Sequence, residues 1–350
     1  MSWASLARFR SFKALPNKRL KLAAPSWYGS LLFVETSSSR RSLGHPLGGP
    51  TAIRMLRSML IVAAACLFAA APRSSRASRQ TPRVSDSGFV SVSGGRIYYE
   101  AFGSGPTVIL LHGALLDRRM WDQQLPVLTA HFRVIRFDAR GFGRSSPADT
   151  AYSGAEDLYV LMRQLGVQHT VLVGLSLGGR TVIDFTLAHP DMVQKLVVAG
   201  PGLSGWTDWS REDTTWRAEA RHAGYANDSV GMAMSWLTAD YMRAAMERPE
   251  LAKRLRVLAA DNAAYWMGLF RHGDLERVAD SPAITRLSQI RTPTLVVVGD
   301  RDSPVICKIV DTLAARLPRA TVVRVPNAGH MVNMEQPAAF DRAVVAFLLK

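Results

Sequence analysis

Two short alternating runs, FVSVS and RIYYEAF, occupy residues 88–102 and are separated by Gly94-Gly95, a pattern that predicts a β-hairpin. Four apolar runs without alternation follow: TVILLHG (107–113), FRVIRFDARG (132–141), TVLVGLS (170–176) and KLVVAGP (195–201). A run that is apolar at consecutive positions is buried on both faces, which is the mark of a parallel strand. Helical segments lie between them at 154–165 and 177–188, the second closed by His189-Pro190. Two more runs, TPTLVVVGD (292–300) and ATVVRVP (320–326), each lead into a helix, at 304–317 and 336–349. Strands that alternate with helices predict an α/β fold, here a mostly parallel eight-stranded sheet with helices on both faces.

The pattern changes between 203 and 286. No strand is predicted there; stretches such as DYMRAAMERPELAKRLRVLA (240–259) read as amphipathic helices, and five of the eight tryptophans fall in it, Trp206, Trp209, Trp216, Trp236 and Trp266. The segment interrupts the sheet between two strands, so it leaves and re-enters at the sheet edge where open α/β sheets bind ligands. The expectation is a helical cap over 203–286 on a core formed by 85–202 and 287–350. Its aromatic and Met side chains (Trp206, Trp209, Met232, Met234, Trp236, Met242, Trp266, Met267) would form an apolar roof, although most of the tryptophans are expected to be core.

Charge alters the picture only at the N-terminus. The net charge of +15 would suggest a nucleic-acid partner, but residues 1–84 carry fourteen Lys and Arg against the single acid Glu35, and the rest of the chain holds 29 basic and 27 acidic residues. The body is nearly neutral, and the argument for nucleic acid fails. Residues 59–71, MLIVAAACLFAAA, form a thirteen-residue apolar run preceded by Arg54 and Arg57 and ended by small residues, too short to span a bilayer comfortably and organised like a secretory signal peptide. The expectation is a leader over 1–84, cleaved after Ala71 or Ala77, with Met55 or Met59 as the true start and a secreted or periplasmic product. Lipid attachment at Cys66 is the minor alternative. With the leader removed, Cys307 is the only cysteine.

Gly174-Leu175-Ser176-Leu177-Gly178 has the G-x-S-x-G form, weak alone, but here the serine ends a strand and opens a helix, as a nucleophile elbow requires. A serine hydroxyl needs a base, and the base an orienting group. His330, in NAGHM after the last strand, returns to the sheet edge; the other histidines of the body flank element ends, start a glycine turn or lie in the insertion. For the acid, Asp300 and Asp302 of GDRDSP compete, with Asp302 farther into the loop. An oxyanion hole needs two backbone N–H groups. Leu177 supplies one, and the loop after the third strand the other, Ala114 with Leu115 as its rival.

These stretches together, LLHG (110–113), FDARGFGRS (137–145), VGLSLGG (173–179), VVGDRDSP (297–304) and PNAGHMVNMEQP (326–337), resemble the α/β-hydrolase superfamily. The likeness is to its compact single-cap members: carboxylesterases, enol-lactonases, cofactor-free haloperoxidases and carbon–carbon bond hydrolases. The resemblance implies Ser176 as nucleophile, Asp302 as acid, His330 as base, and Ala114 and Leu177 as oxyanion donors. It also implies a small-molecule substrate and no cofactor or metal. Ser176 departs from the Asp of dehalogenases and epoxide hydrolases, and Met331 from the aromatic that usually follows the histidine in carbon–carbon bond hydrolases. The expected activity is hydrolysis of an ester-type acyl bond. A lactonase or carbon–carbon bond hydrolase with the same triad, and a slow-turnover ligand-binding protein, are the alternatives. No complete dinucleotide fingerprint, no P-loop and no metal-ligand spacing occurs in the sequence.

Overall fold

The computed structural model describes residues 82–209, 211–272 and 275–350. The expected signal peptide, with Cys66 and His45, falls on residues 1–81 and lies outside the described residues. The end of the expected leader is described, and Val84 there already opens the first strand.

Eight strands form one sheet: β1 (Val84–Val92), β2 (Gly95–Phe102), β3 (Thr107–Leu111), β4 (Arg133–Phe137), β5 (Thr170–Leu175), β6 (Val193–Ala199), β7 (Thr294–Gly299) and β8 (Ala320–Val325). Their order is β1-β2-β4-β3-β5-β6-β7-β8. β1 pairs with β2, and β2 with β4, antiparallel; every later pair is parallel. The central strands are the runs without alternation: all residues of β5 and β7 are buried. β8, at the edge, is buried only at Val325. Because side chains alternate along a strand, successive residues feed two separate cores. Val108 and Leu110 enter one with Val173, Leu175 and Val197. Ile109 and Leu111 enter the other with Leu172, Leu196 and Val198.

Helices α1 (Gly154–Gln164) and α2 (Leu177–Ala188) flank β5 in the chain. The Ser153 hydroxyl caps α1 by accepting from the Glu156 N–H, and Leu158, Leu161 and Met162 seat its apolar face in the second core. Between β6 and β7 come α3 (Arg211–Tyr225), α4 (Ser229–Leu237), α5 (Pro249–Asp261) and α6 (Ala263–His272). Of the described residues in this stretch only Glu276 bonds in β fashion, as an isolated bridge to Tyr152. α7 (Pro304–Arg316) and α8 (Pro337–Leu348) follow β7 and β8, both with proline in the first turn.

The aromatic residues of the insertion divide. Trp216, Trp236, Met232, Met242 and Met267 are buried in the first core together with Met331 and Val332 of the His330 loop, and Met234 packs against them. Trp206 and Trp209 instead pack against the second core, beside Leu203 and Ala283, and so are not part of a roof. The Trp266 side chain lies outside the described residues. Among the described residues no helix is long and apolar enough to cross a membrane.

Candidate active site

Ser176 is the only residue between β5 and α2. Its backbone sits at φ 55° and ψ −111°, a region that non-glycine residues seldom adopt and that costs roughly 1–3 kcal/mol. The turn is this sharp because its neighbours are glycines. A Cβ on Gly174 would overlap the Gly178 carbonyl, and one on Gly178 would overlap the carbonyls of Leu111 and His112. The Gly178 N–H donates to the His112 carbonyl at 3.1 Å, which ties the start of α2 to the end of β3. Ser176 is half-buried at the head of the helix.

His330 and Asp302 meet on neighbouring loops. The His330 Nδ1 lies 3.1 Å from the Asp302 Oδ2, and both side chains are buried. The Ser303 N–H donates to the other carboxylate oxygen at 2.8 Å, so Asp302 cannot swing away without losing that bond. A carboxylate on Nδ1 holds the proton there and leaves Nε2 as the acceptor. Asp300 is exposed, and its N–H donates to the Val325 carbonyl at 3.0 Å, extending the β7–β8 pairing by one bond. Of the two competing carboxylates, Asp302 is thus the one in contact with the imidazole.

The structure forms no hydrogen bond between the Ser176 hydroxyl and His330. Residues 199–202 run between them: the Ser176 N–H donates to the Ala199 carbonyl at 3.0 Å, and the Gly202 N–H to the Ser176 carbonyl at 2.9 Å. Gly200, at φ +45°, lies under the Asp302–His330 pair, where an added Cβ would sit 3.1 Å from both the carboxylate and Nδ1. Gly200 is a site residue that sequence reasoning missed; the signal was the Gly-Pro after an apolar run.

Neither the Leu177 N–H nor the Ala114 N–H has an acceptor among the described residues, and the same is true of Leu115, whose φ of 56° is itself unusual. A Cβ on Gly113 would touch the Ser176 Cβ at 3.5 Å, so the loop carrying Ala114 abuts the elbow. His112 is spent on holding that loop. One ring nitrogen meets the Gly113 carbonyl at 2.8 Å, the other accepts the Ala139 N–H at 2.9 Å, and burial pushes its pKa down.

Two further residues were not anticipated. Glu335 is buried, and its carboxylate accepts the N–H groups of Gly329 at 2.8 Å and Met331 at 3.0 Å, which flank His330. Burial pushes this carboxyl up, against the two N–H groups and the Arg248 guanidinium. The signal was an acid five positions after the histidine, following Met331, Val332 and Met334. Tyr241, from the insertion, places its ring 5.0 Å from the imidazole. Trp216 and Trp236 meet the Tyr241 ring edge-on at 6.2 and 6.3 Å. A surface cleft on the insertion is lined by Trp216, Ala239, Asp240 and Met246, together with Glu219 and Arg243; Ser176, Asp302 and His330 do not line it. Among the described residues no cluster of His, Cys, Asp and Glu could hold a metal ion.

The sequence profile of the α/β hydrolase fold family matches residues 106–337, and the chain belongs to that family. It is similar in structure to the bromoperoxidase of Bacillus anthracis (TM-score 0.64, 28% identity, 76% of this chain and 100% of the other). A thermophilic esterase of Thermogutta terrifontis aligns with a TM-score of 0.62 at 26% identity, over 75% of this chain and 98% of the other. The enol-lactonase of Burkholderia xenovorans aligns with a TM-score of 0.61 at 25% identity, over 75% and 100%. The protein is a hydrolase of this family.

Proposed function

We propose that the chain is a serine hydrolase that cleaves an ester-type acyl bond in a small or medium apolar substrate. The observation that supports it most is the 3.1 Å contact of His330 with Asp302 beside a strained serine elbow. In this reading Ser176 attacks the acyl carbonyl while His330 Nε2 takes its proton. The N–H groups of Leu177 and Ala114 stabilise the tetrahedral oxyanion, and His330 then protonates the leaving group. Water, activated by His330, releases the acid. Asp302 keeps the imidazole in place. Catalytic hydrogen bonds are often long without substrate, so the open Ser176–His330 gap is compatible with this cycle.

The insertion serves as the cap of the active site, with Tyr241, Trp216 and Trp236 as an aromatic wall on the His330 side. A lactone substrate is the second reading, favoured by the likeness to an enol-lactonase. Labelling of wild type by a fluorophosphonate probe at Ser176, followed by a panel of p-nitrophenyl esters, lactones and amides, tests both. No labelling and no turnover would leave a ligand-binding protein on this fold. We further propose that the leader is cleaved after Ala71 or Ala77 on export to a secreted or periplasmic location. N-terminal sequencing of exported protein should find a start between about residues 72 and 85, and a start upstream of the apolar run at 59–71 would contradict it.

A further inference from the structure

The loop 327–335 that carries His330 is hydrogen-bonded at both ends by a side chain of the insertion. Arg248 stands immediately before α5. Its Nη1 donates to the Glu335 carbonyl at 3.0 Å, its Nη2 donates to the Asn327 carbonyl, and its Nε lies 3.6 Å from the Glu335 Oε2. One planar guanidinium therefore touches both ends of the loop. It also faces the buried carboxylate that fixes the amides on either side of the histidine. The residue before it, Glu247, pairs with Arg301 at 2.6 Å, next to Asp302. That pair is roughly half exposed on both sides, and such pairs contribute little. The Arg248 contact differs because Glu335 is fully enclosed, and an enclosed carboxylate that loses its cation is left poorly compensated.

We propose that Arg248 is a positioning residue for His330, acting through Glu335 and the Asn327 carbonyl, so that the helical insertion sets the geometry of the base as well as roofing the site. The catalytic consequence rests on the serine-hydrolase reading above; the positional one does not. Lysine at 248 keeps the charge beside Glu335 but lacks the fork that spans the loop.

The test compares Arg248→Ala and Arg248→Lys with wild type and with Arg256→Ala, an exposed neighbour on α5, in the full chain. Two readouts are taken: kcat and KM on a p-nitrophenyl ester, and hydrogen exchange of the Gly329 and Met331 amides. Arg248→Ala should lower kcat about tenfold or more with KM within about twofold, since small misplacement of a catalytic group acts on the transition state. Both amides should exchange about tenfold faster or more. Arg248→Lys should recover part of both losses, and Arg256→Ala should match wild type. Unchanged kcat in Arg248→Ala, a fall in kcat matched by a rise in KM, or unchanged exchange of both amides would overturn the proposal. If wild type neither turns over esters nor labels at Ser176, the ester reading falls, while the amide exchange still decides whether Arg248 holds the loop.

Discussion

The sheet-edge loops and the helical insertion are built on different physics. At the edge, backbone atoms dictate the site. Ser176 is strained because β5 must become α2 within one residue; Gly174 and Gly178 lie against backbone atoms that leave no room for a Cβ, and Gly200, at positive φ, would bring one to 3.1 Å from Asp302 and His330. In the insertion the tight glycines meet side chains instead, Gly205 against Pro282 and Gly231 against Asp228. Backbone bonds of Tyr152 with Leu275 and Arg277 join its end to the core, and side chains fasten the rest: Arg248 on the His330 loop, and Asn262, which donates to Asp117 at 3.0 Å and accepts the Gly143 N–H at 2.7 Å. The first kind of site fails when geometry is disturbed, while the second can drift by degrees, and variants separate the two.

The largest effect is expected at the elbow. Ser176→Ala removes one oxygen, so the fold should persist while kcat/KM falls by roughly 10⁴-fold or more. Ester hydrolysis within about tenfold of wild type would remove the serine mechanism. Gly200→Ala should follow: a methyl pressed between Asp302 and His330, on a backbone at positive φ, should cost about 1–3 kcal/mol in activation free energy or stability. If both rate and urea midpoint stay at wild-type values, Gly200 does not underlie the pair.

Fastening of the insertion is read through Asp117. Burial pushes this carboxyl up, but the Arg119 guanidinium and Asn262 outweigh it and hold it at about 2. A depressed folded pKa gives stability that is present above the ordinary carboxylate value and lost as pH falls from about 4 toward about 2. Wild type should therefore exceed Asp117→Asn by roughly 2 kcal/mol near neutrality, and the gap should narrow below about pH 4. A gap that stays constant down to about pH 3 would show that charge is not what Asp117 contributes. Smallest is Trp236→Ala, which opens the aromatic wall behind Tyr241 and should shift chain-length preference among esters by about 1 kcal/mol, the low end of what an apolar wall discriminates. The wall idea is lost if relative kcat/KM across ester lengths is unchanged.

The same contrast explains what could be read from the sequence. All eight strands were legible because buried parallel strands leave unbroken apolar runs, and β1 differed only in starting at Val84, ahead of the alternating run. The contact of Asp302 with His330 was legible because strand ends place both on one edge. Gly200 was not, since its role appears only when a third strand end passes beneath two side chains. Tyr241, Arg248 and Glu335 were not legible either. Their partners lie in segments whose relative placement depends on helix packing, and no periodicity states which face of a helix meets which loop. Trp206 and Trp209 were misplaced for that reason: lying in an aromatic-rich insertion says that they pack, without saying against which core.

Because β6 and β7 are bonded neighbours, Leu196 faces Thr294 across the whole insertion. Pairing them closes a chain segment of roughly a hundred residues, yet closure entropy grows only with the logarithm of length, so this loop is about 2 kcal/mol harder to close than one of about ten residues. By closure entropy alone, lengthening or shortening the insertion therefore barely changes the free energy of forming the sheet. What restricts its exchange is contact: any replacement must still cover Met331 and Val332, which share a core with Trp216 and Met242.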